Sequence, residues 1–155
     1  MGDGISAKLF YESKVNEVLS IILEKVKKKQ YRAQGKQRFS IPNDDLDAVI
    51  SVANYINDHY AVDIRMDFLA QMACMSPAKL KYVFKDVYHM SIQQYIVTRR
   101  MTHAEHLLRD TVLPVSQIAG MVGYKYISSL SDRFRQHTGM KPTEYREKMQ
   151  MIIRD

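Results

Sequence analysis

Residues 76–85, Ser-Pro-Ala-Lys-Leu-Lys-Tyr-Val-Phe-Lys, carry three lysines and no acid. Leu80, Val83, Phe84 and Val87 recur at three- and four-residue steps. A helix through them turns these side chains inward and leaves Pro77, Ala78, Lys79, Lys81, Tyr82 and Lys85 outward. Lysine ammonium groups donate to guanine acceptors or to phosphate oxygens, and an alanine methyl packs on a thymine methyl, so this face suits the major groove of a duplex. Ala78, Lys81 and Tyr82 lie in the middle of the face and are expected to meet base edges. Lys79 and Lys85 are expected on phosphates, as are the main-chain donors of a helix that begins at Ser76. Little other chemistry is on offer. His103 and His106 are three apart, but no nearby cysteine or carboxylate set completes a metal site, so a structural or solvated role is expected. The chain has no glycine-rich phosphate loop and no serine in a nucleophile-elbow setting. The single Cys74 has no mate for an internal disulfide and is expected to be a buried thiol. Neither a cofactor, a metal nor an enzymatic reaction is expected.

A reading face of this kind needs a partner helix to hold it. Leu69-Ala70-Gln71-Met72-Ala73 supplies one, with Ala70 and Ala73 three apart so that a second helix can approach closely. Ser76 followed by Pro77 is a cap followed by proline at the first helical position, which starts that second helix. The pattern occurs twice. At an offset of 49, Leu69-Ala70 meets Ile118-Ala119 and Ala73 meets Val122; after one extra residue the offset is 50, and Leu80, Phe84-Lys85, Met90 and Tyr95 meet Leu130, Phe134-Arg135, Met140 and Tyr145. Two copies are too few for a solenoid, so a duplicated helix-turn-helix is the better account. On the second exposed helix, expected from Ile127 to His137 after a turn at Gly123, the residues Ile127, Ser128, Ser129 and Asp132 are expected at bases. Lys125, Tyr126, Arg133 and Arg135 are expected on the phosphate backbone or, for the three basic residues, toward the linker helix. That linker helix begins at Ser91 and runs to about Arg109, roughly 28 Å at 1.5 Å per residue. It would set the two heads about one DNA turn apart, since successive major grooves on one face of B-DNA are about 34 Å apart. Arg100, midway along it, is suited equally to bridging the two units and to touching a phosphate.

A chain of 155 residues holds one ordinary domain or two small ones sharing a helix. Glycine and proline are scarce and no run alternates with period two, so the predicted fold is all-α: two helix-turn-helix subdomains joined by a long helix and preceded by an extra N-terminal helix. The predicted division is an N-terminal helix in residues 1–29, a linker in 30–43, and a domain in 44–155. That domain divides into a first unit in 44–90, the linker helix in 91–109 and a second unit in 110–155. Val15, Val18, Leu19, Ile22, Leu23 and Val26 form an apolar stripe in residues 7–29. It suits a helix docked on the rest of the chain, a homodimer contact, or the last helix of a sensor domain. Lys148 to Asp155 are expected to fray. The net charge of +6 is concentrated N-terminally: residues 1–42 hold nine basic and four acidic residues, residues 43–155 fourteen and thirteen. Local segregation therefore matters more than the total, with lysines on the first reading helix and Asp44, Asp45 and Asp47 expected at the far edge. No apolar stretch reaches transmembrane length and no signal-peptide layout opens the chain, so a cytoplasmic setting and no membrane partner are expected.

The chain resembles the DNA-binding half of AraC/XylS-type transcriptional regulators over roughly residues 44–150. The matching residues are Leu69-Ala70, Ala73, Ser76, Leu80, Phe84-Lys85, Ser91, Tyr95-Ile96, Arg100-Met101, Ala104 and Leu107-Leu108. They continue with Ile118-Ala119, Val122-Gly123-Tyr124, Ser128-Ser129, Arg133-Phe134-Arg135, Gly139, Pro142 and Tyr145-Arg146. The resemblance implies a sequence-specific activator that binds promoter or operator DNA on the bacterial nucleoid and contacts RNA polymerase. Three departures stand out against the family pattern: Asp132 where a basic residue is common, Leu130 in place of an aromatic, and His89 in place of glycine, where the local turn is expected to differ. The alternative reading is a helical interaction or dimerisation module that contacts RNA polymerase or another regulator.

Overall fold

The computed structural model describes residues 41–154, together with Ile22, Leu23, Lys25, Val26 and Lys29, which are helical and exposed. Val15, Val18 and Leu19 of the 7–29 stripe, and residues 30–40 of the linker, therefore lie outside the described residues. From residue 43 the chain is a succession of seven helices: α1 (Asn43–His59), α2 (Met66–Met72), α3 (Pro77–Tyr88), α4 (Ile92–Asp110), α5 (Val115–Met121), α6 (Ile127–Thr138) and α7 (Pro142–Arg154). No strand occurs among the described residues, and the fold is all-α.

Two apolar cores form, and α4 serves both. Ile92 and Ile96, from its first half, join Val49, Ile56, Leu69, Leu80 and Phe84 of α1 to α3. Met101, Ala104 and Leu108, from its second half, join Ile118, Leu130, Phe134 and Tyr145 of α5 to α7. Along α1, Val49, Val52, Ala53 and Ile56 are fully buried and Ile50 is half-buried. A helix wedged between α3 and α4 buries a wider arc than a single surface stripe.

The sequence repeat is reproduced bond for bond. In the first turn Cys74 N donates to Gln71 O at 3.1 Å and Met75 N to Ala70 O at 3.0 Å; in the second Gly123 N donates to Gly120 O at 3.2 Å and Tyr124 N to Ala119 O at 2.8 Å. After α3, Ser91 N donates to Gln94 Oε1 at 2.9 Å, closing a capping box; after α6, Lys141 N donates to Glu144 Oε2 at 3.0 Å. The rings of Phe84 and Tyr95 meet edge to face at 5.4 Å, and those of Phe134 and Tyr145 at 5.3 Å. Each unit is thus closed by an edge-to-face pair between its reading helix and the helix that follows.

The positive-φ residues also fall in register. Cys74 (φ 51) matches Gly123 (φ 89), and His89 (φ 57) matches Gly139 (φ 80). Two expectations need correction here. Cys74 is exposed rather than buried, because a left-handed turn residue throws its side chain outward while Ala70 and Ala73 before it are buried in the contact. His89 does not alter the local turn: its N–H donates to Lys85 O at 2.8 Å just as Gly139 N donates to Arg135 O at 2.8 Å. Histidine tolerates this conformation at a cost of about 1–2 kcal/mol. A third correction concerns the C-terminus, where α7 continues to Arg154 instead of fraying from Lys148. The run Glu147-Lys148-Met149-Gln150-Met151 is rich in helix formers, and Arg154 lies at the negative end of the dipole.

The two turn glycines differ in their surroundings. A Cβ added to Gly123 would lie 2.5 Å from Ala61 O and 3.0 Å from Arg100 Cζ, whereas one added to Gly139 meets nothing within 4 Å. G139A is expected to cost only the left-handed penalty, about 1–2 kcal/mol. G123A must also displace the backbone at Ala61, and urea unfolding should place it a further 1–3 kcal/mol or so below G139A. Equal losses in the two variants would mean that the approach of Gly123 to Ala61 contributes nothing.

Candidate nucleic-acid interface

Whether two reading helices can act together depends on what fixes the angle between their units. Arg100, in the middle of α4, does this by donating to three main-chain carbonyls. Its Nε reaches Tyr60 O at 2.7 Å and its Nη2 reaches Val62 O at 3.1 Å, both in the α1–α2 loop; its Nη1 reaches Gly123 O at 3.2 Å, in the second helix-turn-helix turn. The guanidinium also lies over the Tyr124 ring, 5.3 Å from its centroid. Its role is structural, since its donors are committed to carbonyls of both units. One turn further along α4, His103 stacks on Tyr60 with ring centroids 4.2 Å apart and planes 10° from parallel. Burial holds the His103 pKa down, with Arg99 and then His106 adding to the effect, so that it falls from the ordinary 6.5 to about 4. His103 is therefore a neutral packing group at the junction. Among the described residues no cluster of three or more His, Cys, Asp or Glu side chains could hold a metal ion.

The first head is α3. Ser76 is its N-cap, accepting from Lys79 N at 3.2 Å, and Pro77 follows at the first helical position. Ser76, Ala78, Lys79, Lys81, Tyr82 and Lys85 all lie exposed on one side, Tyr82 to 70%. Lys79 carries a feature that sequence reasoning missed: its ammonium lies 2.8 Å from Asp45. The sequence pattern puts Asp44, Asp45 and Asp47 at the far edge, away from the lysines. Instead α1 packs against α3, bringing the first turn of α1, which holds Asp45, beside the first turn of the reading helix. Nothing in the spacing of residues 45 and 79 could have disclosed this.

The second head is α6. Tyr126 is its N-cap in extended conformation, without a side-chain cap bond. Lys125, Tyr126, Ile127, Ser128, Ser129, Asp132, Arg133 and Arg135 are all exposed. Lys125 Nζ lies 5.3 Å from the centroid of the Tyr126 ring, and Arg133 Nη1 donates to Gln136 Oε1 at 3.5 Å. Behind this head, Arg146 of α7 donates to Leu108 O at 3.3 Å and Leu113 O at 2.6 Å, and Tyr145 OH donates to Glu105 Oε2 at 3.1 Å. These bonds lock the second unit onto α4. An open depression of about 410 Å³ lies apart from both heads, lined by Tyr55, Asp63, Arg65, Phe68 and their neighbours on α1, α2 and the loop between them. No helix among the described residues is long and apolar enough to cross a membrane.

Two outward helices, each held by a short partner and both keyed to one shared helix, define a two-headed DNA-binding domain of the helix-turn-helix class. Comparison with known proteins agrees. The family model described as a helix-turn-helix domain matches residues 69–148. The arabinose operon regulatory protein of Escherichia coli is 29% identical over 109 residues, covering 69% of this chain and 37% of that protein. The probable transcriptional regulator LumQ of Photobacterium leiognathi is 30% identical over 97 residues, covering 63% of this chain and 39% of that protein. The C-terminal domain of the response regulator AraT from Geobacillus stearothermophilus superposes with a TM-score of 0.62 at 29% identity, over 65% of this chain and 84% of that one. The DNA-binding domain of AdpA, solved in complex with a target DNA, superposes with a TM-score of 0.61 at 25% identity, over 64% of this chain and 90% of that one. The chain belongs to the AraC family of helix-turn-helix transcriptional regulators, and so among DNA-binding proteins rather than enzymes. The match spans less than two-fifths of the length of these two curated relatives.

Acid should loosen the junction. Because the folded pKa of His103 lies below that of the unfolded chain, the unfolded state binds more protons between about pH 6.5 and pH 4. The His103 contribution is present at neutral pH, declines as pH falls through that window, and changes no further below about pH 4. H103F keeps a ring against Tyr60 but cannot titrate. The difference in urea stability between wild type and H103F is expected to shift in favour of H103F on going from pH 7 to pH 5. A difference that stays constant with pH would show that His103 is not buried neutral.

Proposed function

We propose that this chain is a sequence-specific regulator of transcription that binds double-stranded DNA by placing α3 and α6 in successive major grooves. The observation that carries the reading is the presentation of two outward helices by a single 19-residue helix, α4, with Arg100 tying the turn of the second unit to the loop of the first. About 28 Å of helix between heads is close to the roughly 34 Å pitch of B-DNA. On α3, Ala78, Lys81 and Tyr82 meet base edges, while Lys79, Lys85 and the main-chain donors at Ser76 hold phosphates. On α6, Ile127, Ser128, Ser129 and Asp132 meet bases. Lys125, Arg133, Arg135 and the N-terminus at Tyr126 hold the backbone. The regulator acts as an activator at a promoter in contact with RNA polymerase, in the cytoplasm on the bacterial nucleoid. We divide it into an N-terminal helix (1–29), a linker (30–43) and the two-headed domain (44–155). A homodimer through residues 7–29 is favoured by the exposure of Ile22, Leu23 and Val26, three apolar side chains of that stripe.

Selection from random duplex DNA at near-physiological salt should enrich a two-part motif with its halves about one helical turn apart. Enrichment of one half alone would reduce the second unit to a positioning role, and no enrichment from folded protein would favour the interaction module. On the selected site, K81A is expected to lose about 1–3 kcal/mol and to relax the preference at one base pair; an equal loss on all sequences would make Lys81 a phosphate contact.

The pair between Asp45 and Lys79 gives a separate expectation. Asp45 competes with phosphate for the Lys79 ammonium, so D45N should tighten binding to any duplex by a few-fold and steepen the dependence of log K on log salt by up to about 0.9. In a K79A background D45N should do much less. Equal effects in the two backgrounds would mean that Asp45 acts by its own charge and not through Lys79.

A further inference from the structure

The two heads differ at their leading ends. With the offset of 50 applied, the positions of Lys79 and Lys81 on α3 are occupied by Ser129 and Ser131 on α6, and that of Tyr82 by Asp132. The first turn of α6 holds no basic residue. It holds Ile127, 47% exposed, beside the N-cap Tyr126, 59% exposed. Lys125, the nearest cation, is laid over the Tyr126 ring. Asp132 lies four residues after Ser128, on the same side of the helix, where a carboxylate repels phosphate and the acceptor edge of guanine. An isoleucine at the leading end of a reading helix can gain from a base edge only by covering apolar surface. In the major groove one base alone offers an apolar group, the 5-methyl of thymine.

We propose that the second head reads thymine through its methyl group, with the Ile127 side chain as the reader. The proposal deepens the DNA-binding reading above and rests on it. Preference in the α6 half-site is then for A·T pairs, and it comes from burial of apolar surface instead of from ion pairs. It is correspondingly insensitive to salt, which screens charge but leaves apolar burial intact.

The test uses the full chain on the duplex recovered by selection, with each thymine replaced in turn by deoxyuridine. That change removes the methyl and keeps every hydrogen-bonding group. One position in the half contacted by α6 is expected to lose about fourfold in affinity, the scale of one buried methyl. I127A should lose about as much on the thymine duplex and become indifferent to deoxyuridine at that position. The ratio between the two duplexes should be the same at 50 and 200 mM salt. Ile127 is exposed, so I127A should melt with wild type, and a melt at an unchanged temperature certifies the comparison; if it unfolds, I127V, expected to give a smaller loss, replaces it. Tight binding with no deoxyuridine sensitivity in that half, or an I127A variant that keeps the full sensitivity, overturns the thymine assignment while leaving the DNA reading intact. Failure to recover any duplex overturns both.

Discussion

Everything in this molecule that depends on two heads acting together rests on one guanidinium. Arg100 donates to carbonyls at 2.7, 3.1 and 3.2 Å that belong to both units, in a spot partly shielded from water. Hydrogen bonds from a charged donor are worth more than neutral ones, and removing the donor would break three of them at once. The acceptors are main-chain atoms of turns, so the bonds fix backbone positions directly. Gly123 completes the arrangement by having no side chain: its backbone packs against Ala61 at a distance no Cβ would allow. With those contacts made, α4 is a rigid spacer, and the separation of α3 and α6 becomes a property of the fold.

Within that frame each unit solves the same local problem in the same way. A short helix with two small residues meets a longer helix across a turn whose middle residue has positive φ. The longer helix then ends in another left-handed residue and packs an aromatic ring onto the helix after it. The second unit uses glycine at both left-handed positions, and the first uses Cys74 and His89. The tertiary contacts around the first unit outweigh the penalty of two side chains in that region, which is of the order of the loss in a single core truncation.

What differs between the units is the outer face, where packing makes no demand and residue choice is free to serve recognition. The two outer faces differ accordingly: three lysines on α3, and on α6 a leading isoleucine with serines and an acid ahead of Arg133 and Arg135. The Asp45–Lys79 contact moderates the first of these faces. A pair with its lysine half-exposed is worth little to stability, about 0–1 kcal/mol, but it sets how readily the lysine leaves for another anion.

Much of this was legible in the residues. Helix starts at Ser76 and Ser91 depend on a side chain reaching a backbone N–H three residues away. The inward positions of Leu80, Phe84, Leu130 and Phe134 follow from the period of the helix, and the offset repeat carried both signals into the second unit. For the same reason the residues named for the two reading faces all lie outward, because facing away from the core is a consequence of periodicity. Other features were decided by the tertiary structure alone. The three carbonyls that hold Arg100 are 40, 23 and 38 residues distant in sequence, and Asp45 is 34 residues from Lys79. The exposure of Cys74 depends on which way a strained turn points its side chain, and the neutrality of His103 on what buries it. A pattern of a few residues fixes what is local to a helix turn; partners brought together from distant turns are fixed only when the whole chain packs, because only then do the two backbones share a place.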